Sequence, residues 1–122
     1  MRQSVLVLAI ALLPSGAMAH GDFPAKRGGV VVWAGETTLE FVISKDRVVV
    51  YVDDHGEPVP NKGAEGTLVV PSADGQGRAV PMKAAKANAF ESPTVALKPG
   101  EEVKFFAKMA DGQVHVGQTI VP

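Results

Sequence analysis

The chain of 122 residues contains no cysteine. Disulfides are therefore excluded, and so are thiolate metal sites, thiol catalysis and thiol redox chemistry. Aromatic residues are scarce, with one Trp, one Tyr and five Phe, which leaves little to stack bases or sugar rings on. Charge of one sign is not in excess either: twelve Lys and Arg face thirteen Asp and Glu, a formal net charge of −1. No basic stripe exists to neutralise phosphates, so nucleic acid is not an expected partner. Catalytic signatures are missing too, with no GxSxG, HExxH, phosphate-loop or GxGxxG pattern. The paired carboxylates Asp53-Asp54 and Glu101-Glu102 fall in turn-like contexts. Nucleophilic catalysis needs a nucleophile, a base and an orienting group brought together, and nothing in the sequence suggests such a set. The chain is not expected to be an enzyme.

Long apolar runs are absent except at the start. Arg2 precedes an uncharged apolar run from Val5 to Leu13, followed by Pro14-Ser15-Gly16 and the small-x-small pattern Ala17-Met18-Ala19. This is the layout of a secretory signal peptide cleaved after Ala19. A spanning helix needs roughly 20 apolar residues, and this run is far shorter. Residues 1–19 are thus read as the signal peptide, and the mature chain as periplasmic with no stable membrane insertion. Residues 20–29, with Pro24 and Gly28-Gly29, read as a flexible N-terminal arm. Residues 30–122 read as one domain.

Within that domain the pattern is β throughout. Val30–Trp33 is β-branched and aromatic, and in Thr38–Ser44 the residues Leu39, Phe41 and Ile43 alternate with Glu40. Val48–Val52 follows a tight turn at Lys45-Asp46-Arg47. Asp53–Gly66 holds two prolines and three glycines and reads as a long loop. Further strands are expected at Thr67–Val70, Arg78–Lys83 (an edge, because of Pro81), Thr94–Leu97, Glu102–Met109 and Gln113–Val121, with Asp111-Gly112 as a hairpin turn. The helix-favouring Lys83–Ala87 leaves a helix over Val80–Phe90 as an alternative. Turn signals every ~8–12 residues point to an all-β fold. It is expected to be an antiparallel sandwich or Greek-key barrel of seven to eight short strands, immunoglobulin-like.

Metal chemistry is the sharpest functional idea. Cleavage after Ala19 would make His20 the new N-terminus. Its amine and imidazole are two nitrogen donors on one residue, a chelate that suits Cu(II). The amine, with a reference pKa near 8, needs only modest proton loss at neutral pH. Further donors must come from elsewhere, and His55 is the candidate, lying in Asp53-Asp54-His55-Gly56-Glu57 among three carboxylates. The alternative for His55 is that it only makes the turn ending a strand. His115 stands mid-strand on the face away from Val114 and Val116. Met82 and Met109 could serve Cu(I), although Met109 fits the core face. The expected metal site is His20, His55, Asp53, Asp54 and Glu57, binding Cu(II) or Zn(II).

His20-Gly21-Asp22 and Lys26-Arg27-Gly28-Gly29-Val30-Val31 resemble a family of small periplasmic proteins. Their mature chains begin with a His-Gly-Asp-His arm and lead into the first strand through Lys-His-Gly-Gly-Val-Val. The likeness continues through Leu39-Glu40-Phe41-Val42, Tyr51–Val59 and Gly63-Ala64-Glu65-Gly66. The same features are similar to the N-terminal domain of periplasmic adaptor subunits of heavy-metal RND efflux pumps. The resemblance implies a β-sandwich and a role near divalent-metal tolerance. Phe23 and Arg27 stand where relatives often carry further histidines, which leaves His20 and His55. The expected function is a periplasmic metal-associated binding or accessory protein linked to copper or zinc-class metal efflux, with an efflux adaptor or other envelope protein as partner. Two alternatives stand beside it: a metal-free protein-interaction module of the envelope, and a CopC-like copper carrier in which His115 would lie close to His20.

Overall fold

A computed structural model of the chain describes residues 23–122; the leader at 1–19 and His20 lie outside the described residues. The described chain is all-β, with nine strands: β1 (Val30–Ala34), β2 (Thr37–Ser44), β3 (Arg47–Asp54), β4 (Glu57–Pro58), β5 (Glu65–Val70), β6 (Arg78–Ala85), β7 (Ala89–Glu91), β8 (Glu102–Lys108) and β9 (Val114–Ile120). No helix among the described residues is long and apolar enough to cross a membrane. All pairings are antiparallel, and the strands follow the order β1-β2-β3-β7-β6-β5-β8-β9, with β4 attached to β3.

Two layers form because β6 changes partners along its length. Its first half pairs with β5 from Arg78 to Met82, and its second half pairs with β7 from Lys83 to Ala85. One layer therefore holds β1, β2, β3, β4 and β7, and the other holds β5, β8 and β9. At the opposite side β9 comes alongside β1 without a hydrogen-bonded ladder, so the sheet stops just short of a closed barrel.

Strand alternation builds the core. Leu39 and Phe41 of β2 and Val48, Val50 and Val52 of β3 turn inward from one layer. Leu68 of β5 and Val103, Phe105 and Ala107 of β8 turn inward from the other. Phe105 lies between Phe41, at 6.3 Å and nearly perpendicular, and Phe90, at 5.5 Å. Such edge and tilted pairs add to the burial energy of the rings.

The strand expectations hold for β1, β2, β3, β5, β6, β8 and β9, and Pro81 lies in the half of β6 whose ladder runs to β5 alone. Three details differ. Thr94–Leu97 is not a strand; the amides of Val95 and Leu97 donate to Asp46 and Lys45 in the β2–β3 turn without forming a ladder. The two short strands β4 and β7 are additions. The helix considered over Val80–Phe90 is absent, since those residues pair as β6 and β7 around a turn in which Lys86 has φ 51°.

Gly66 lies against the core. A Cβ there would lie 2.5 Å from Cδ1 of the fully buried Phe90. Gly66→Ala must displace that ring and is expected to cost about 1–3 kcal/mol, read from the urea midpoint. Gly75, where an added Cβ meets nothing within 4 Å, supplies the comparison: Gly75→Ala strains only its positive φ and disturbs no core contact.

Candidate functional site

The outward face of the β1–β2–β3 layer carries Val31 and Trp33 on β1, Thr38 and Glu40 on β2, and Tyr51 and Asp53 on β3, which follow from the register Val31↔Glu40↔Tyr51 and Trp33↔Thr38↔Asp53. On a solvated face Glu40 would be exposed. Instead only 3% of it is, because the segment preceding β1 folds back over this face.

Glu40 holds that segment. Its Oε2 accepts from the backbone N–H of Arg27 (2.8 Å) and Gly29 (3.0 Å), and its Oε1 accepts from the N–H of Lys26 (3.1 Å) and from Nη1 of Arg27 (3.0 Å). Burial acts to raise the pKa of this carboxyl. The three amide bonds and the Arg27 guanidinium outweigh it, and the pKa lies below its ordinary value. Gly29 permits the approach, since a Cβ there would sit 2.4 Å from the Phe41 carbonyl oxygen.

Arg27 links the network to β3. Nη1 also donates to Oδ2 of Asp53 at 3.1 Å, and Cζ lies 3.9 Å from the Tyr51 ring centroid, a cation–π contact. Burial acts to lower the guanidinium pKa, but the bonds to Asp53 and Glu40 raise it overall. The other Asp53 oxygen accepts from Nδ2 of Asn88 at 3.1 Å.

At one end of this face two hairpin tips lie side by side, because Thr37 is the register partner of Asp54. One tip is Gly35-Glu36 and the other is His55-Gly56. The second is a two-residue turn between Asp54 and Glu57 in which His55 (φ 49°) and Gly56 (φ 83°) are both left-handed, as a type I′ hairpin requires. Asp54 Oδ1 lies 2.5 Å from Nδ1 of His55, and Glu36 Oε2 lies 3.7 Å from Nε2. Lys26 Nζ donates to the Gly56 carbonyl at 2.6 Å. The Phe23 ring stands edge-on to His55 (6.4 Å) and to Trp33 (5.8 Å).

The sequence-derived site residues are thus separated. Asp54 and His55 are together and exposed at the tip. Asp53, one residue earlier on a strand, faces the other way, and both its oxygens are engaged by Arg27 and Asn88. Glu57 is exposed opposite Asp54, and His20 lies outside the described residues. Glu36 was not singled out from the sequence; only the β2–β3 register brings it to His55, and no local motif signals that. Among the described residues no group of three or more His, Asp or Glu converges as a metal ion would need. His115 faces the interior, and its Nε2 has no hydrogen-bond partner among the described residues. Phe23 packs on the tip and Arg27 ties Glu40 to Asp53.

Compared with protein-family models, curated proteins and solved structures, the chain finds no match.

The geometry sets an order of importance among the acidic residues. Glu40→Gln is expected to destabilise the protein by about 2 kcal/mol or more, since it weakens several charge-assisted bonds at a buried position. Glu36→Gln, at an exposed tip, should stay within about 0.5 kcal/mol. Because the folded pKa of Glu40 is depressed, its contribution is present above the unfolded carboxyl pKa of about 4.3 and is lost as pH falls through the folded value. The gap between wild type and Glu40→Gln in urea denaturation should therefore be full at pH 7 and close under acid.

Proposed function

We propose that the protein is a periplasmic metal-associated binding or accessory protein, and that its ion, copper(II) or a zinc-class cation, is held where the processed N-terminus meets the His55 tip. The observation carrying this reading is the packing of Phe23 against His55. Three residues of extended chain span at most roughly 10 Å, so residue 20 is tethered within that reach of Phe23. In the tautomer that carries its proton on Nδ1, His55 donates to Asp54 and presents Nε2 on the side of Glu36, the orientation usual for a metal-binding imidazole. The amine and imidazole of His20, Nε2 of His55 and the Glu36 carboxylate make a nitrogen-rich donor set suited to Cu(II). In this arrangement Asp54 orients rather than ligates, and Asp53 belongs to the Arg27 network. A link to metal efflux is part of the same reading, supported by the sequence resemblance alone.

The copper-carrier alternative asks His115 to meet His20. His115 points between the layers, whereas the arm covers the outer face, which favours the His55 tip. The interaction-module alternative has one observation in its favour. The outward face of β8–β9 exposes Phe106, Val114, Val116 and Ile120, with Phe106 and Val116 directly paired. Phe106, Val114 and Val116 adjoin, with Lys104 and Lys108 beside them, and exposed apolar side chains grouped in this way commonly mark contact with another protein. That reading expects Val116→Asp to abolish co-purification with an envelope adaptor while copper uptake is unchanged.

Calorimetric titration of the mature protein with Cu(II) tests the metal reading. Wild type should bind one ion, and His55→Ala should weaken binding roughly tenfold or more. Placing one extra residue before His20 should weaken it as well. Equal affinity in all three proteins, or no binding by wild type, removes the site.

A further inference from the structure

We propose that β9 is a docking edge for a second copy of this chain: two β9 strands pair antiparallel about a two-fold axis through Gly117 and join two molecules in one continuous sheet. This junction is independent of any metal.

β9 ends the strand order, and β8 is its one hydrogen-bonded neighbour among the described residues. The bonds at either end of that ladder show which way each residue of β9 turns. The Met109 N–H donates to the Gln113 carbonyl at 2.8 Å, and the Val121 N–H donates to the Glu101 carbonyl at 2.7 Å. In an antiparallel ladder bonded pairs recur at every second residue. His115, Gly117 and Thr119 therefore turn their backbone groups toward β8. Val114, Val116, Gln118 and Ile120 turn theirs away, and among the described residues nothing bonds to them. β1 and β2 meet β9 from its inward side, where a Cβ on Gly117 would face Leu39 and Val32, and no ladder joins β1 to β9.

Open edges of this kind are normally guarded by a charge, a proline or a bulge. β9 has none of the three: its sequence is VHVGQTI, and its pairing to β8 runs without interruption. The residues with unspent backbone groups are also those whose side chains stand outward, and Val114, Val116 and Ile120 among them are exposed.

A second copy fits this edge because the edge is complementary to itself. Two-fold pairing about Gly117 sets Val114 against Ile120 of the second copy and Val116 against its Gln118. All the outward-turned backbone groups then fall in bonded positions, about eight hydrogen bonds in all. No charge abuts a like charge. Lys108, beside Val114 on β8, is level with Glu102 of the second copy, beside its Ile120, so the flanking charges on that level are of opposite sign. The same pairing sets Thr119 of the second copy opposite His115, whose Nε2 lacks a partner among the described residues, and brings a hydroxyl level with that imidazole. A junction of one strand pair is smaller than a standard interface, so monomer and dimer exchange with concentration.

Sedimentation of the purified protein from micromolar to millimolar concentration tests this. Wild type should show a monomer–dimer equilibrium. Gln118→Pro removes an N–H that the β8 ladder does not use. By symmetry it deletes two inter-chain bonds, and it should weaken dimerisation roughly tenfold while circular dichroism still shows cooperative unfolding. Charge tests the register. A protein with Val116→Glu and Gln118→Glu, and one with Val116→Lys and Gln118→Lys, should each be monomeric, because the pairing sets like charges opposite each other. An equimolar mixture of the two should form a heterodimer. A wild-type protein that stays monomeric at millimolar concentration overturns the proposal and leaves the β9 edge to a peptide of another protein. A dimer unchanged by Gln118→Pro and by both charged variants lies elsewhere on the molecule and overturns it as well. Two monomeric charged variants that do not associate when mixed overturn the two-fold register.

Discussion

A carboxylate buried on the outside of a β-sheet needs compensation, because taking the charged group out of water costs several kcal/mol. Glu40 meets that requirement with three backbone amides and one guanidinium. The consequence runs in both directions. The carboxylate stays ionised because the arm covers it with donors, and the arm lies where it does because the carboxylate is there. Remove the charge and the amides of residues 26, 27 and 29 lose their common acceptor. The covering segment, the placement of Phe23 and the approach to the His55 tip all follow from this one arrangement.

It also makes the two layers unlike. The outward face of β1–β2–β3 is roofed by the arm, and its polar residues are satisfied within the molecule. Among the described residues nothing covers the outward face of β8–β9, which carries apolar side chains beside Lys104 and Lys108, with Val116 47% exposed. Interior packing is similar on both sides, since Phe41, Phe90 and Phe105 join the layers through one aromatic cluster. The division of labour therefore lies outside the core: one face holds the N-terminal segment beside an imidazole, and the other presents surface suited to contact.

Much of the fold was legible because its signals are local. The alternation of Leu39, Phe41 and Ile43, and of Val103, Phe105 and Ala107, marks inward faces directly, and Pro81 marks the half-paired strand. β4 and β7 escaped because two or three residues carry no periodicity, and Thr94–Leu97 misled because β-branched composition was satisfied by two amide bonds to a turn. In β9 the alternation was visible but its sense was not: His115 is inside and the valines are outside, because the register pairs His115 with the inward Ala107 of β8 and Val116 with the outward Phe106. The site was less legible still. Asp53 and Asp54 look equivalent in the sequence, yet strand alternation sends one into the Arg27 network and leaves the other beside His55. Glu36 reaches His55 only through pairing of two strands, and the burial of Glu40 depends on a segment folding back from eleven or more residues away, which no periodicity records.

The central claim, that the amides of Arg27 and Gly29 are locked to the Glu40 carboxylate, is tested most directly by amide hydrogen exchange on the purified protein. The account predicts that these two amides exchange slowly, as strand amides do, and that Glu40→Gln selectively accelerates them while those of β8 keep their protection. Exchange of both amides at free-chain rates in the wild-type protein would contradict it.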